Sequence, residues 1–199
     1  MTKALFFDSG DVIVKEGYSP GVAEYEDKHN LPKGSLYKST HDRPYWREFT
    51  LGHITENKYF EEVKRDYKVS EININDLKNS IDRNFQQNVE LIDFLKSIKK
   101  NFILGVVSNH PREWFERCVK KFNWNDTFSI YAVSGYIHFR KPDSRIFQYA
   151  VAQAKVGPEE CIYFDNRPDR TEGAKQLGIE VVIYLNNEQV MKYIKALNS

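Results

Sequence analysis

The sequence predicts the α/β class, a doubly wound parallel sheet with an all-helical insertion, and three observations carry that prediction. Five short apolar runs recur at 4–7, 102–107, 130–133, 161–164 and 181–185, each the length of a buried strand. The stretches between them carry apolar residues at helical spacing, the alternation expected of a parallel sheet covered by helices. Several of the apolar runs also end on polar residues able to do chemistry, among them Asp8, Ser108 and Asp165.

Taken in order, the run at 4–7 predicts the first strand. Residues 18–85 follow it with many charges, no convincing buried strand and amphipathic stretches such as Tyr59, Phe60 and Val63, so they predict a helical insertion. Within it, 71–76 (EININD) alternates like a strand, but its asparagines favour a loop or a helix start. Val89, Ile92, Leu95 and Ile98 share one helical face, and so do Ile146, Phe147, Ala150, Val151 and Ala154. Pro158, Glu159 and Glu160 mark a turn, and 172–177 reads as a helix closed by Gly178.

Bulk properties narrow the function. The chain has 199 residues, 41% hydrophobic and 29% charged, enough for one domain with an insertion. With 29 basic and 28 acidic residues its net charge is +1, which argues against general electrostatic binding to nucleic acid or acidic membranes. The amino terminus is too short before the first strand for a signal peptide, and no apolar run approaches the roughly 20 residues of a membrane helix. A soluble, cytoplasmic protein is expected. Cys118 and Cys161 form no CxxC pair and read as buried small residues. His29, His53 and His138 show no zinc-site spacing.

In an open parallel sheet, ligands gather beyond the carboxyl ends of the strands. Asp8-Ser9-Gly10-Asp11 follows the first strand, Ser108-Asn109-His110 the second, and Asp165-Asn166-Arg167-Pro168-Asp169 the fourth. Lys141 lies in Arg140-Lys141-Pro142-Asp143, shortly before the fourth. Carboxylates, a hydroxyl and an ammonium thus converge on one edge, a set suited to an anion together with a divalent cation.

Four segments, LFFDSGDVIV (5–14), VVSNH (106–110), GYIHFRKPDSRIF (135–147) and IYFDNRPDRTEGAKQLG (162–178), resemble the haloacid-dehalogenase-like superfamily, in particular its phosphatases with a helical cap after the first strand. Trp46, Phe49, Gly52, Ile54 and Thr55 are similar to the branch of sugar-phosphate phosphatases related to bacterial α-glucose-1-phosphatases. The resemblance implies a Rossmann-like hydrolase core at 1–17 and 86–199 and a cap at 18–85. It implies that Asp8 attacks phosphorus to form an aspartyl-phosphate, splitting hydrolysis into two easier steps. Ser108 and the amide of Asn109 would bind the phosphoryl group, and Lys141 would neutralise developing charge. Mg²⁺ would be held by Asp8, the carbonyl of Gly10, Asp165 and Asn166. His41, Arg43 and Arg47 of the cap are candidate substrate contacts, and His110 and Arg112, just after the second motif, have a better claim because that loop faces the site. Trp46 and Phe49 read as cap core. The implied substrate is a small soluble phosphate, a sugar phosphate by branch.

The sequence departs from the family pattern at three points. Gly10 stands where these phosphatases usually carry a second aspartate, a general acid and base worth roughly 10²–10⁴ in rate. Asp11 is a nearby substitute one residue out of place. Asn166 replaces the second of a common acidic pair, leaving Asn166 and Asp169 as alternative partners of the metal. Arg167 and Arg170 are either surface charges or partners of Asp165 and Asp169. Two rival readings follow from these changes: a metal-independent 2-haloacid dehalogenase, and a catalytically weak or inactive binding protein.

Overall fold

The computed structural model describes residues 1–41, 43–67 and 72–197. Strand β1 (Ala4–Phe7) leads through a tight turn to β2 (Val14–Lys15). Five helices follow: α1 (Tyr18–Lys28), α2 (Ser35–His41), α3 (Pro44–Thr50), α4 (Glu56–Tyr67) and α5 (Ile74–Asn84). The chain then continues through β3 (Gln86–Gln87), α6 (Val89–Ile98), β4 (Ile103–Ser108), α7 (Arg112–Phe122), β5 (Ile130–Val133), α8 (Ser134–Ile137) and α9 (Ser144–Ala154). It ends with β6 (Cys161–Asp165), α10 (Glu172–Gln176), β7 (Glu180–Ile183) and α11 (Asn187–Ala196).

The main sheet has the order β5-β4-β1-β6-β7 and all its pairings are parallel. Side chains alternate across it with the period of two that a strand dictates. Ala4 and Phe6 pack with Ile146, Phe147 and Ala150 of α9 on one face, while Leu5 and Phe7 pack with α6, α7 and α11 on the other. Both faces are therefore apolar, which is why the strands read as continuous hydrophobic runs. Burying Phe6 and Phe7 completely contributes about 2–3 kcal/mol each. The doubly wound α/β fold expected from the sequence is the one present.

Strand ends moved by a residue or two. The last strand stops at Ile183, two residues short of the predicted end. The Tyr184 amide turns back to the Asp165 carbonyl at 3.0 Å and Leu185 is exposed. Glu71 of the 71–76 segment lies outside the described residues. Within that segment Asn73 does start a helix, its side chain accepting the Asp76 amide at 3.1 Å. Gly178 ends its segment in a left-handed conformation, φ 85°, as the predicted C-terminal glycine should.

The five helices at 18–84 leave and rejoin the sheet through a two-stranded antiparallel ribbon, Val14 opposite Gln87 and Lys15 opposite Gln86. That ribbon is too short to register as a hydrophobic pattern. Helices α1 and α5 cross so closely that a Cβ on Gly21 would sit 2.4 Å from the Ile81 Cα. The aromatic side chains of this segment, Tyr18, Phe49 and Tyr59 among them, join the same apolar cluster as Leu5 and Phe7. The helices are thus packed down over the carboxyl end of the sheet.

Candidate active site

β1 is the central strand, with β4 and β6 on either side, so the loops leaving its carboxyl end open a crevice at the switch in strand order. Asp8 is the first residue of that crevice, anchored by its own amide to the Phe164 carbonyl at 2.8 Å. Its carboxylate is buried, with 5% of the residue exposed. Oδ1 accepts the Ser9 amide at 2.7 Å and the Lys141 ammonium at 2.8 Å.

Lys141 is the hub of the floor. Its Nζ donates to Asp8 Oδ1 and Asp165 Oδ2, both at 2.8 Å, and to the Tyr163 hydroxyl at 2.7 Å. At 2% exposed it is no solvated surface lysine, and its three protons have three acceptors. The backbone that carries it is clamped by Asn109, whose Oδ1 accepts the Lys141 amide at 2.7 Å and whose Nδ2 donates to the Lys141 carbonyl at 3.0 Å. Gly173 permits this placement: a Cβ there would lie 2.2 Å from the Pro142 carbonyl oxygen.

Asp165 is fully buried, with both oxygens engaged. Oδ1 accepts the Arg167 amide at 2.7 Å, and Oδ2 takes Lys141 and the Tyr163 hydroxyl. Burial pushes the Asp8 carboxyl above the ordinary carboxylate range; Lys141 works against this and the Asp165 charge adds to it. Burial and the two neighbouring carboxylates likewise hold the Tyr163 phenol well above its usual value, so it serves as a donor.

Asp8 opens into a cavity of about 380 Å³, within the range of small-molecule sites. Ser9, Gly10, Ser108, Asn109, His110 and Asn166 line it beside Asp8. The Ser9 and Ser108 hydroxyls share a hydrogen bond of 2.5 Å, and Ser108 does not cap α7, whose N-cap is Pro111. Arg140, Arg167 and Arg170 supply positive charge at the rim, and Arg170 favours the ionised form of Asp8. Among the described residues no carboxylate pairs with Arg140 or Arg170. Arg140 instead donates to the Thr50 hydroxyl at 3.2 Å, and burial, with Arg170 and Arg47 near it, holds its pKa down.

His110 is buried among aromatic rings, its amide donating to Ser134 Oγ at 3.0 Å and its Nδ1 to the Pro111 carbonyl at 3.2 Å. Burial drops its pKa to about 4, so it enters the site as neutral imidazole.

Several sequence expectations need correction here. Arg43 does not line the cavity: its guanidinium lies 3.8 Å from Asp66 on a half-exposed side chain. Arg47 faces a neighbouring groove with Arg140 and Arg170. Asp169 is paired with Arg167 at 3.0 Å on the surface, and it is Asn166, not Asp169, that lines the cavity with Asp8. Asp11 adopts φ 57° and spends Oδ1 on the Glu16 amide at 3.0 Å. Phe49 is core as expected, but Trp46 is only half-buried and lines the cavity. Asn109 acts on the Lys141 backbone more than on the cavity. Tyr163 was missed although it stands two residues before Asp165, hence on the same side of β6. Cys118 and Cys161 are buried thiols, pushed up by burial to about 12 and about 11.

The donor set has one unsatisfied member. Asn166 Oδ1 is buried with no hydrogen-bond partner among the described residues, and Asn166 lines the same cavity as Asp8. Two carboxylates, an amide oxygen and nearby main-chain carbonyls suit Mg²⁺, which keeps several waters and takes one or two carboxylates plus phosphate oxygens. No cluster of three or more His, Cys, Asp or Glu side chains occurs among the described residues. Any metal here is held by few charges.

A buried carboxylate at the end of the central strand, bridged by an ammonium to a second carboxylate, defines an α/β enzyme equipped for nucleophilic carboxylate chemistry. Residues 44–184 match the family model described as haloacid dehalogenase-like hydrolase, and the chain belongs to that family. It is 23% identical over 199 residues to a drimenol cyclase of Aspergillus calidoustus, covering 98% of this chain and 36% of that protein. It is 24% identical over 196 residues to a flavin mononucleotide hydrolase of Arabidopsis thaliana, covering 97% of this chain and 76% of that protein. The chain thus spans about a third of the first relative and three quarters of the second. Among solved structures it superposes on a HAD family enzyme from Bacteroides thetaiotaomicron with a TM-score of 0.78 and 16% identity, covering 92% of this chain and 94% of that one. The same enzyme has been seen in complex with magnesium and inorganic phosphate, and that structure superposes with a TM-score of 0.73 at 15% identity.

Proposed function

We propose that the protein is a Mg²⁺-dependent phosphomonoesterase acting on a small soluble phosphate through an aspartyl-phosphate on Asp8. The observation that carries the reading is Asp8, lining the cavity together with three arginines and held from beneath by Lys141, which bridges it to Asp165. The flavin mononucleotide hydrolase relative, which acts on a phosphate ester, supports it. In this reading residues 1–17 and 86–199 form the hydrolase core and 18–85 a cap, as the ribbon at its base suggests. The near-balanced charge favours a small soluble substrate over nucleic acid or membrane partners. Among the described residues no helix is long and apolar enough to cross a membrane.

The residues divide the work as follows. Asp8 offers its less engaged oxygen to phosphorus while Lys141 holds the other, keeping the carboxylate ionised and oriented. Ser9 and Ser108 present hydroxyls to the phosphoryl oxygens, and Arg140 and Arg170 neutralise the anion at the rim. Asp8, Asn166, the Gly10 carbonyl and Asp165 would hold the metal, with Asp165 needing to loosen one of its present bonds. Bound there, Mg²⁺ supplies charge neutralisation between nucleophile and phosphoryl group. No second carboxylate stands at position 10 to protonate the leaving group, so esters with good leaving groups should turn over best.

Hydrolysis of p-nitrophenyl phosphate and a panel of sugar phosphates, with and without Mg²⁺, tests the proposal. Metal-dependent release is expected. Chloride release from a 2-chloroacid without metal would replace this reading with dehalogenation, and no turnover by folded protein would leave a binding function.

A further inference from the structure

We propose that the cavity above Asp8 takes a phosphate ester whose far end carries a planar aromatic or heteroaromatic ring, stacked on Trp46 with Tyr37 and His41. The inference rests on the phosphomonoesterase reading and names the substrate class of that same site: sugar or polyol phosphates bearing a flat base, in preference to bare sugar phosphates.

The wall opposite Asp8 is aromatic. Tyr37, His41 and Trp46 all line the cavity and all are only partly buried. Tyr37 and His41 lie nearly parallel, with centroids 4.9 Å apart and planes 13° apart, and His41 is 5.2 Å from Trp46. Behind them Trp46 is fixed from several sides. Tyr18 stacks on it at 4.6 Å, Trp114 lies at 5.7 Å and Phe49 meets it edge-on at 6.3 Å. Tyr18, Phe49 and Trp114 are buried. A ring held in this way is already ordered before a ligand arrives, so stacking on it costs little entropy.

The polar atoms of the same wall point to the same occupant. A site built for a bare sugar needs hydroxyl-directed donors and acceptors. Several of them are engaged internally: the Tyr18 hydroxyl bonds Thr40 and Tyr59. The two Glu16 oxygens accept the Tyr18 and Ser19 amides, and the Thr50 hydroxyl is shared between Arg140 and the Arg47 carbonyl. What this wall offers is chiefly the π-face, which any flat ring satisfies and a polyol does not.

The test uses Asp8→Asn protein, which holds a phosphate ester without turning it over, and isothermal titration with Mg²⁺ present. Flavin mononucleotide and adenosine 5′-monophosphate should bind at least about tenfold tighter than ribose 5-phosphate or glucose 1-phosphate. Adding Trp46→Ala should shrink that ratio about tenfold, whereas Trp46→Phe should keep most of it. Circular dichroism establishes that each variant is folded, and His41→Ala, which removes a less buried ring, provides the same comparison should Trp46→Ala unfold. Equal affinities for ring-bearing and ringless esters, or a ratio unmoved in folded variants, would overturn the proposal. A ring preference in binding alongside no turnover of any ester by the unmodified protein would sink the phosphatase reading and leave the ring site standing.

Discussion

At and beneath the floor of the cavity Lys141 ties Asp8 to Asp165 by short hydrogen bonds and Ser9 bonds Ser108, whereas the wall contributed by the helices at 18–84 presents partly buried rings. The floor is set by strand ends, and strands align their ends through backbone pairing. The wall is set by how α1 packs on α2 and how α2 and α3 pack on α4. The comparison teaches that chemistry and selectivity have separate structural origins here. In the proposed reading a fixed charge network would do the first and the aromatic surface the second.

The largest effect should come from the floor. Asp8→Asn keeps the shape but removes the nucleophile, and phosphatase activity is expected to fall at least about 10³-fold. A comparable rate in this variant would place the chemistry elsewhere. Lys141→Ala leaves two buried carboxylates facing each other without their shared cation, and urea denaturation should show a loss of about 3–5 kcal/mol. Adding Asp165→Asn should recover part of that loss; no recovery would mean the carboxylates are not the source of the strain.

Gly10 is where the floor lacks a part. A Cβ there meets nothing within 4 Å, so the backbone at Gly10 leaves room for a side chain to start, and Gly10→Asp is the variant to make. It should raise turnover of alkyl phosphates on the order of 10²-fold while changing p-nitrophenyl phosphate little. Equal gains on both would show that leaving-group protonation is not what Gly10 costs.

The smallest effect belongs to His110, between floor and wall. Its folded pKa of about 4 lies below the ordinary 6.5, so between those values the unfolded chain binds more protons. Stability should therefore be fully present above about pH 6.5 and decline as pH falls toward 4, by up to about 3 kcal/mol. His110→Phe should flatten that slope in pH-dependent melts; an unchanged slope would assign it to other groups.

How much of this was legible in the sequence follows the same division. Asp8, Ser108 and Asp165 stand at the ends of apolar runs, where the period-two pattern and the rule for open sheets locate them without a structure. Lys141 was found by its motif, but its burial depends on Asn109 and on the close approach of Gly173, contacts across about 30 residues that no local pattern announces. The choice between Asn166 and Asp169 turned on a surface ion pair with Arg167, again invisible to spacing alone. The wall was least legible. Trp46 and Phe49 sit three residues apart on one helix and look equivalent, yet one is core and the other faces the cavity, because α3 is rotated by its packing on α4 and α8. Arg43, one turn away, was lost to Asp66 for the same reason.

The central claim is that Asp8 is the atom donor to phosphorus. Rapid acid quenching of a turnover mixture with a radiolabelled phosphate ester, followed by peptide mapping, addresses it directly. Label on the peptide containing Asp8, absent from Asp8→Asn, is the predicted result. Phosphate release with no label on that peptide, or label surviving the substitution, would contradict it.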